Sequence, residues 1–87
     1  MRLLLQPIAV EADAGGRPRR LHWRGRLRPV RAWLERWWWR GRWWQDAALV
    51  GEERLYWRVL CGRGVFELFR RRRPQQPDDW VLSRLLD

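Results

Sequence analysis

The sequence predicts an all-β domain, a small antiparallel meander of five to six strands with one short helical turn, curled into a half-open barrel. Glycines and prolines recur at short intervals, and the apolar runs between them are short, which is typical of strands joined by tight turns. A sheet of this size in 87 residues must curl to cover its own apolar face. So short a chain has room for one hydrophobic core, and we expect residues 1–87 to form a single domain.

The clearest strand is expected at Arg54–Cys61, where side chains alternate with the two-residue period of a sheet. Further strands are expected at Val65–Arg70 and Trp80–Leu86, so that the three form a consecutive antiparallel sheet. Near the N-terminus, Leu3–Glu11 is expected to be a strand interrupted at Pro7. Proline has no N–H to donate to a neighbouring strand.

A tight hairpin is expected between Arg19–Arg24 and Leu27–Trp33. Its two-residue loop would consist of Gly25 and Arg26, and a loop with glycine first favours a type II′ turn.

The tryptophan-rich segment Arg31–Trp44 fits two structures, because its rings have helical i to i+4 spacing while tryptophan is also a good strand residue. We expect a strand that leads into a helical turn at Leu34–Trp39 and ends near Gly41. In either structure the run Trp37–Trp39 spreads its rings over different sides. At least one of these three rings should therefore be largely exposed.

The charge is strongly basic and unevenly distributed. Nineteen arginines, with no lysine, face ten acidic residues and give a formal net charge of +9. The first half of the chain carries most of this excess, so an electrostatic footprint is expected there. The run Arg70–Arg73 precedes a turn that contains proline and is expected to be a solvated hairpin tip. No apolar run is long enough to span a membrane, and we expect a cytoplasmic protein without a membrane partner.

Residue types that carry catalysis or bind metals are scarce. With one cysteine and one histidine, the chain has no internal disulfide and no cluster of metal ligands. We expect Cys61 to be a small buried apolar side chain and His22 to be a hydrogen-bonded structural residue. Glu67 lies in the middle of a predicted strand and should pair with an arginine, because an unpaired buried carboxylate is costly. We expect no enzyme activity, no cofactor and no metal.

Arginines interleaved with tryptophans are the main functional signal. Guanidinium groups can follow phosphates, and flat rings can stack on unpaired bases, which together favour single-stranded nucleic acid, DNA in particular. The candidate binding residues are Arg24, Arg26, Arg28, Arg36, Trp37, Trp38, Arg40, Arg42 and Trp43.

The same residue types allow other interpretations. Exposed tryptophan beside arginine is typical of protein–protein hot spots, so a protein partner or a homodimer is an alternative. Large rings covered by arginine stems could also serve only to fill a small core.

Several short stretches resemble a family of small uncharacterised bacterial domains from actinobacteria and from the Deinococcus and Thermus group. These stretches are WRGR at 23–26, GRWW at 41–44, YWRV at 56–59, VFELFR at 65–70 and WVLSRLLD at 80–87. A similar run occurs in the C-terminal region of the catalytically inactive Y-family polymerase subunit of the bacterial mutasome. The resemblance implies an association with DNA repair or translesion synthesis proteins, with a repair polymerase as a possible partner, and it implies no particular site residues.

Overall fold

The computed structural model describes residues 2–40 and 51–86, which form eight strands and no helix. The predicted all-β class is confirmed. In chain order the strands are β1 (Arg2–Pro7), β2 (Ala9–Ala12), β3 (Pro18–Trp23), β4 (Arg26–Pro29), β5 (Ala32–Arg40), β6 (Glu53–Cys61), β7 (Gly64–Arg72) and β8 (Asp79–Leu86). These strands form a five-stranded antiparallel sheet in the order β1-β8-β7-β6-β5 and a three-stranded one in the order β2-β3-β4, without a closed barrel.

The centre of the large sheet is the consecutive meander of β6, β7 and β8 that the sequence predicts. Trp57 on β6 lies opposite Leu68 on β7, and Val59 lies opposite Phe66. Because side chains alternate across a strand, these four share one face of the sheet. We call it the covered face.

The three-stranded sheet packs on the covered face and completes the hydrophobic core. Leu21 on β3 is fully buried there, together with Ile8, which precedes β2. Their partners from the large sheet are Trp57, Val59, Cys61, Phe66, Leu68 and Leu82. A hydrogen bond also joins the two sheets, since Trp33 Nε1 on β5 donates to the Pro18 carbonyl oxygen at 2.8 Å.

The chain passes between the sheets at two points. Pro7 ends β1, Ile8 N donates a hydrogen bond to the Trp80 carbonyl oxygen, and β2 then begins in the small sheet. On the way back, Val30 N donates to a carbonyl of β3, whereas Arg31 N donates to a carbonyl of β6. The interruption expected at Pro7 is therefore confirmed as a change of sheet.

These crossings explain why eight strands form where five to six were predicted. The segments 3–11 and 27–33, each expected to be one strand, are both divided between the two sheets. The apolar face of the large sheet is covered by a second sheet, which makes strong curling unnecessary.

The helical turn predicted for Leu34–Trp39 is wrong, because these residues belong to β5. Strand β6 offers an antiparallel partner along nearly the whole segment, with Trp37 opposite Tyr56 and Trp39 opposite Arg54. A register shift between Trp33 and Glu35 places Trp33 on the covered face and Trp37 on the other. The expected end near Gly41 lies outside the described residues.

The hairpin between β3 and β4 forms as predicted, but its loop is shifted by one residue. Trp23 pairs with Arg26, so the two-residue loop is Arg24–Gly25. Both loop residues have positive φ, 51° and 72°, which is the type I′ pattern and not type II′. Arginine is rare at a positive φ, which is why glycine was expected as the first residue of the loop.

Replacing Leu68 with Ala should lower the free energy of unfolding by about 2–5 kcal/mol, because the side chain is fully buried in the core and its loss leaves a cavity. The matched control is Leu3→Ala, since Leu3 is 61% exposed and its truncation should change stability by less than about 0.5 kcal/mol. Urea unfolding followed by circular dichroism measures both. Equal midpoints for the two variants would contradict this description of the core.

Candidate nucleic-acid interface

The arginines of residues 3–40 and 51–86 fall into two groups. One group lies within ion-pair distance of a carboxylate: Arg17, Arg20, Arg40, Arg54, Arg58, Arg70, Arg71, Arg72, Arg73 and Arg84. The second group has no carboxylate of residues 3–40 or 51–86 within that distance: Arg19, Arg24, Arg26, Arg28, Arg31, Arg36 and Arg63. Phosphates are attracted by charge that the protein has not already neutralised, so the second group contains the candidates for a phosphate contact.

Five arginines of the second group lie at one end of the molecule, which we call the arginine end: Arg24, Arg26, Arg28, Arg31 and Arg63. There the β3–β4 hairpin lies beside the β6–β7 turn. Arg26, Arg28 and Gly62 line one cavity of about 200 Å³, and Arg31 Nη1 donates a hydrogen bond to the Gly62 carbonyl oxygen at 3.3 Å. Arg63 follows Gly62 in the same turn.

Arg28 is the most enclosed member of the arginine end. Its side chain is half-buried, its Nε lies 3.5 Å from the Trp23 carbonyl oxygen, and its guanidinium carbon lies 5.9 Å from the centre of the Phe66 ring. Burial raises the pKa of the neighbouring Cys61 thiol to about 11, although the Arg28 charge opposes that shift. The buried, unreactive thiol expected from the sequence is thus confirmed as buried.

The other face of the large sheet carries a row of rings from Trp37, Tyr56 and Phe69, and we call it the aromatic face. Trp37 and Tyr56 stack with centroids 5.0 Å apart and planes 8° from parallel. Tyr56 and Phe69 are 4.8 Å apart with a 41° tilt. Arg58 lies over the Trp37 ring, and Arg54 lies over the Phe69 ring. These rings mostly engage one another and nearby guanidinium groups.

Beside the rings, a line of alternating charges crosses four strands through Glu35, Arg58, Glu67 and Arg84. Arg58 Nε donates to Glu67 at 3.0 Å and Nη1 donates to Glu35 at 3.3 Å, which raises the pKa of Arg58, chiefly through Glu67. Glu67 is 4% exposed and also accepts a hydrogen bond from the Ser83 hydroxyl. The prediction that Glu67 pairs with an arginine is confirmed. Its contacts with Arg58, Ser83 and Arg84 link three strands of the large sheet.

Trp38 lies on the covered face, opposite Leu55, and its side chain is 60% exposed. This confirms that one ring of the triplet is largely exposed. Arg36 on the same strand has its guanidinium carbon 5.6 Å from the Trp57 ring centre, and Arg40 lies 3.7 Å from Glu53. Trp38 is therefore the ring in β5 that is most accessible to another molecule.

The structure separates the candidate residues into three sets. Arg24, Arg26 and Arg28 lie at the arginine end. On β5, Arg36, Trp38 and Arg40 share the covered face, whereas Trp37 points to the aromatic face. Arg42 and Trp43 lie outside the described residues.

Sequence reasoning missed Arg31 and Arg63 as members of the arginine end. Arg31 immediately precedes β5, and Arg63 lies in a turn more than thirty positions later in the chain. Their proximity depends on the pairing of β5 with β6, which the sequence did not settle. The two-glycine turn around Arg63 was the only local signal, and it indicates a loop and nothing about its neighbours.

The run Arg70–Arg73 is not a free basic tip. Asp78 and Asp79, across the β7–β8 hairpin, each lie within ion-pair distance of two of these arginines. The closest contact is bidentate, since Arg71 Nε and Nη2 donate to the two Asp79 carboxylate oxygens at 3.0 and 2.6 Å. The run is therefore partly neutralised and stabilises its own hairpin.

His22 is paired with an acidic residue of β2. The His22 ring Nε2 lies 2.9 Å from a Glu11 carboxylate oxygen, so the hydrogen bond expected for it is present. In the described ranges, no three His, Cys, Asp or Glu side chains are placed to share a metal ion. Within these same ranges there is also no helix of the length and apolarity that a membrane crossing requires.

Replacing Asp79 with Asn should destabilise the fold by about 1 kcal/mol at neutral pH, because it removes a bidentate but partly exposed ion pair. The Arg71 hydrogen bonds hold the pKa of Asp79 below its ordinary value of 3.8. A carboxyl with a lowered pKa stabilises the fold above its unfolded pKa and loses that effect as the pH falls through the folded pKa. The stability difference between wild type and variant should therefore shrink in acid. A difference in unfolding midpoint that stays constant down to the most acid pH would contradict this role.

Comparison with known proteins places the chain in a family. Neither the curated proteins nor the solved structures contain a match. The profile of one family, Domain of unknown function (DUF6504), matches residues 3–87 and so includes every strand from β2 to β8 and most of β1. This agrees with the expected resemblance to a family of uncharacterised domains, and the chain belongs to the DUF6504 family.

Proposed function

We propose that the chain is a non-enzymatic, cytoplasmic accessory module that binds nucleic acid, with single-stranded DNA favoured. The observation that carries the proposal is the arginine end. Five arginines, from the β3–β4 hairpin, the β4–β5 connection and the β6–β7 turn, lie there, and no described carboxylate lies within ion-pair distance of any of them. Charge left uncompensated in one place favours a polyanionic partner.

A binding path from the arginine end along β5 supports a single strand in particular. Arg31 precedes β5, Arg36 follows on the covered face, and Trp38 lies beyond it on the same face. At ~3.3 Å per residue, Arg31 and Trp38 are ~23 Å apart along the strand, a span that several nucleotides can cover. Guanidinium groups near phosphates and an exposed ring for one base are the two chemistries that unpaired strands require.

Exchanging Arg26 and Arg63 together for Gln should lower the salt dependence of binding. Each lost phosphate contact removes ~0.7 from the slope of log affinity against log salt for a single strand, so the double variant should lose ~1.4. The measurement is fluorescence anisotropy of a labelled oligonucleotide at several salt concentrations.

The matched control exchanges Arg17 and Arg20 for Gln, which changes the net charge equally. Both of these arginines pair with carboxylates away from the arginine end, at Asp13 and Glu11. The slope of this control should remain close to that of the wild type. If both double variants changed the slope equally, binding would reflect total charge and the arginine end would have no special role.

Replacing Trp38 with Ala should weaken single-strand binding at fixed salt by ~1–3 kcal/mol, the usual value of one base stacked on an aromatic ring. The fold should tolerate the change, because the ring is largely exposed. Leu34→Ala is the control, since Leu34 lies on the same strand and is 50% exposed but offers no ring. Equal affinity of wild type and Trp38→Ala would remove the stacking role.

A second candidate function is a protein adaptor, and the surroundings of Trp38 favour it. The exposed ring borders a shallow groove of about 50 Å³ whose other lining residues are Glu53, Leu55, Arg70, Arg72 and Asp78. An exposed tryptophan beside apolar surface and arginine is a typical hot spot. The resemblance to the mutasome subunit suggests a repair polymerase as the partner, and a second copy of the chain could occupy the same place.

Protein binding through the Trp38 ring should persist at high salt, whereas nucleic-acid binding should not.

A further inference from the structure

We propose that the cavity between β4 and the β6–β7 turn is a binding site for a phosphomonoester, such as the phosphorylated end of a strand. The inference rests on the proposed function, because the cavity lies within the arginine end, and it deepens that function by naming the group that is held there. Six residues line the cavity: Arg26, Leu27, Arg28, Pro29, Cys61 and Gly62.

Two arginines of one strand line the cavity. Arg26 and Arg28 are two residues apart on β4, so both side chains leave the strand on the same side. Arg28 lies opposite the buried Leu21, which shows that this side faces the large sheet. Leu27, between them, points the other way and is 49% exposed.

A third guanidinium group is fixed at the margin. Arg31 Nη1 is hydrogen-bonded to the carbonyl oxygen of Gly62, which itself lines the cavity. Arg63 occupies the next position of the turn. Two arginines of β4 thus line the cavity and two more, from the β4–β5 connection and the β6–β7 turn, are next to it in the chain or bonded to its lining, while no acidic side chain of the described residues lines it.

Arg28 is half-buried, and no carboxylate of the described residues lies within ion-pair distance of it. Its described contacts are a peptide carbonyl at the long distance of 3.5 Å and the face of an aromatic ring. Removing a charge from water without a partner is costly, and proteins normally provide a carboxylate in such a place. Elsewhere in this chain, partly buried Arg58 and Arg71 have such carboxylates. An anion in the cavity would give Arg28 the missing partner.

The charge favours a monoester over a phosphate within a strand. A phosphodiester carries one negative charge, whereas a monoester carries about −1.5 to −2 at neutral pH and offers three terminal oxygens to arginine donors. Two guanidinium groups in the cavity and a third at its margin match the larger charge. The apolar floor formed by Cys61, 5% exposed, lowers the local dielectric constant and strengthens the attraction.

The test compares two oligonucleotides of identical sequence that differ only in a 5′-phosphate or a 5′-hydroxyl. Anisotropy competition at fixed salt should show at least about tenfold tighter binding of the phosphorylated strand, the value of one or two charge-assisted hydrogen bonds. Arg28→Gln should abolish the preference. Arg26→Gln, at an exposed position, should reduce it, and it serves as a second variant if Arg28→Gln fails to fold. Arg20→Gln, on the opposite side of the small sheet, should keep the full preference.

A second arm separates the two sources of such a group. Thymidine 5′-monophosphate and inorganic phosphate are titrated into the protein, and binding is followed by NMR shifts of the Arg26 and Arg28 side chains. A preference for the phosphorylated strand identifies a strand end, whereas binding of the small phosphates alone, lost in Arg28→Gln, identifies a free phosphomonoester. If neither occurs while both oligonucleotides bind with a normal salt dependence, the inference is overturned and the proposed function remains. If no oligonucleotide and no phosphate binds, both are overturned.

Discussion

The placement of ten carboxylates among nineteen arginines determines where positive charge is left uncompensated. Glu67 engages arginines from two neighbouring strands, and Asp78 and Asp79 engage the run Arg70–Arg73. The acidic residues of the C-terminal half are thus used mainly by arginines of that same half, through antiparallel pairs that lie next to one another in the large sheet. In the β3–β4 hairpin, Arg20 pairs with Glu11, whereas Arg24, Arg26 and Arg28 have no described carboxylate within ion-pair distance. The uneven charge of the two ends thus follows from which arginines have a carboxylate on an adjacent strand.

The tryptophans have separate tasks that their composition does not reveal. Trp57 is 4% exposed and fills the core, Trp33 joins the two sheets, and Trp37 stacks on Tyr56 on the aromatic face. Trp37 and Trp39 on either side of Trp38 contact Tyr56 and Arg54, and among the described rings of β5 it is Trp38 that is mostly exposed. The alternation of side chains along β5 divides adjacent residues between the two faces of the sheet. Tryptophans that are adjacent in the sequence therefore lie on different faces of the sheet and contact different groups.

The sequence predicted the parts of the fold that are determined locally. Strict alternation identified β6, a glycine turn marked the start of β7, and a proline-containing turn separated β7 from β8, so the central meander and the pairing of Glu67 followed. Strand β5 was missed in part because helical spacing and an irregular strand give its rings the same pattern, and only the partner β6 decides between them. The loop of the β3–β4 hairpin was misplaced because Arg24 adopts a left-handed conformation that arginine rarely takes.

The candidate site was predicted only where its residues are close together in the sequence. Arg24, Arg26 and Arg28 share a hairpin and stay together, whereas Arg31 and Arg63 join them only through tertiary contacts.

The two crossings of the chain, at Ile8 and at Val30–Arg31, attach the small sheet to β1 and β5, which lie at opposite ends of the strand order in the large sheet. Neither sheet can separate from the other without straining both attachments. The arginine end spans the boundary between them, with β4 on one side and the β6–β7 turn on the other. An anion held by both sides would act as a cross-link between the layers, and by mass action it would favour their association over their separation. Ligand occupancy and the docking of the two sheets are then thermodynamically linked, and heat or denaturant would act on both together.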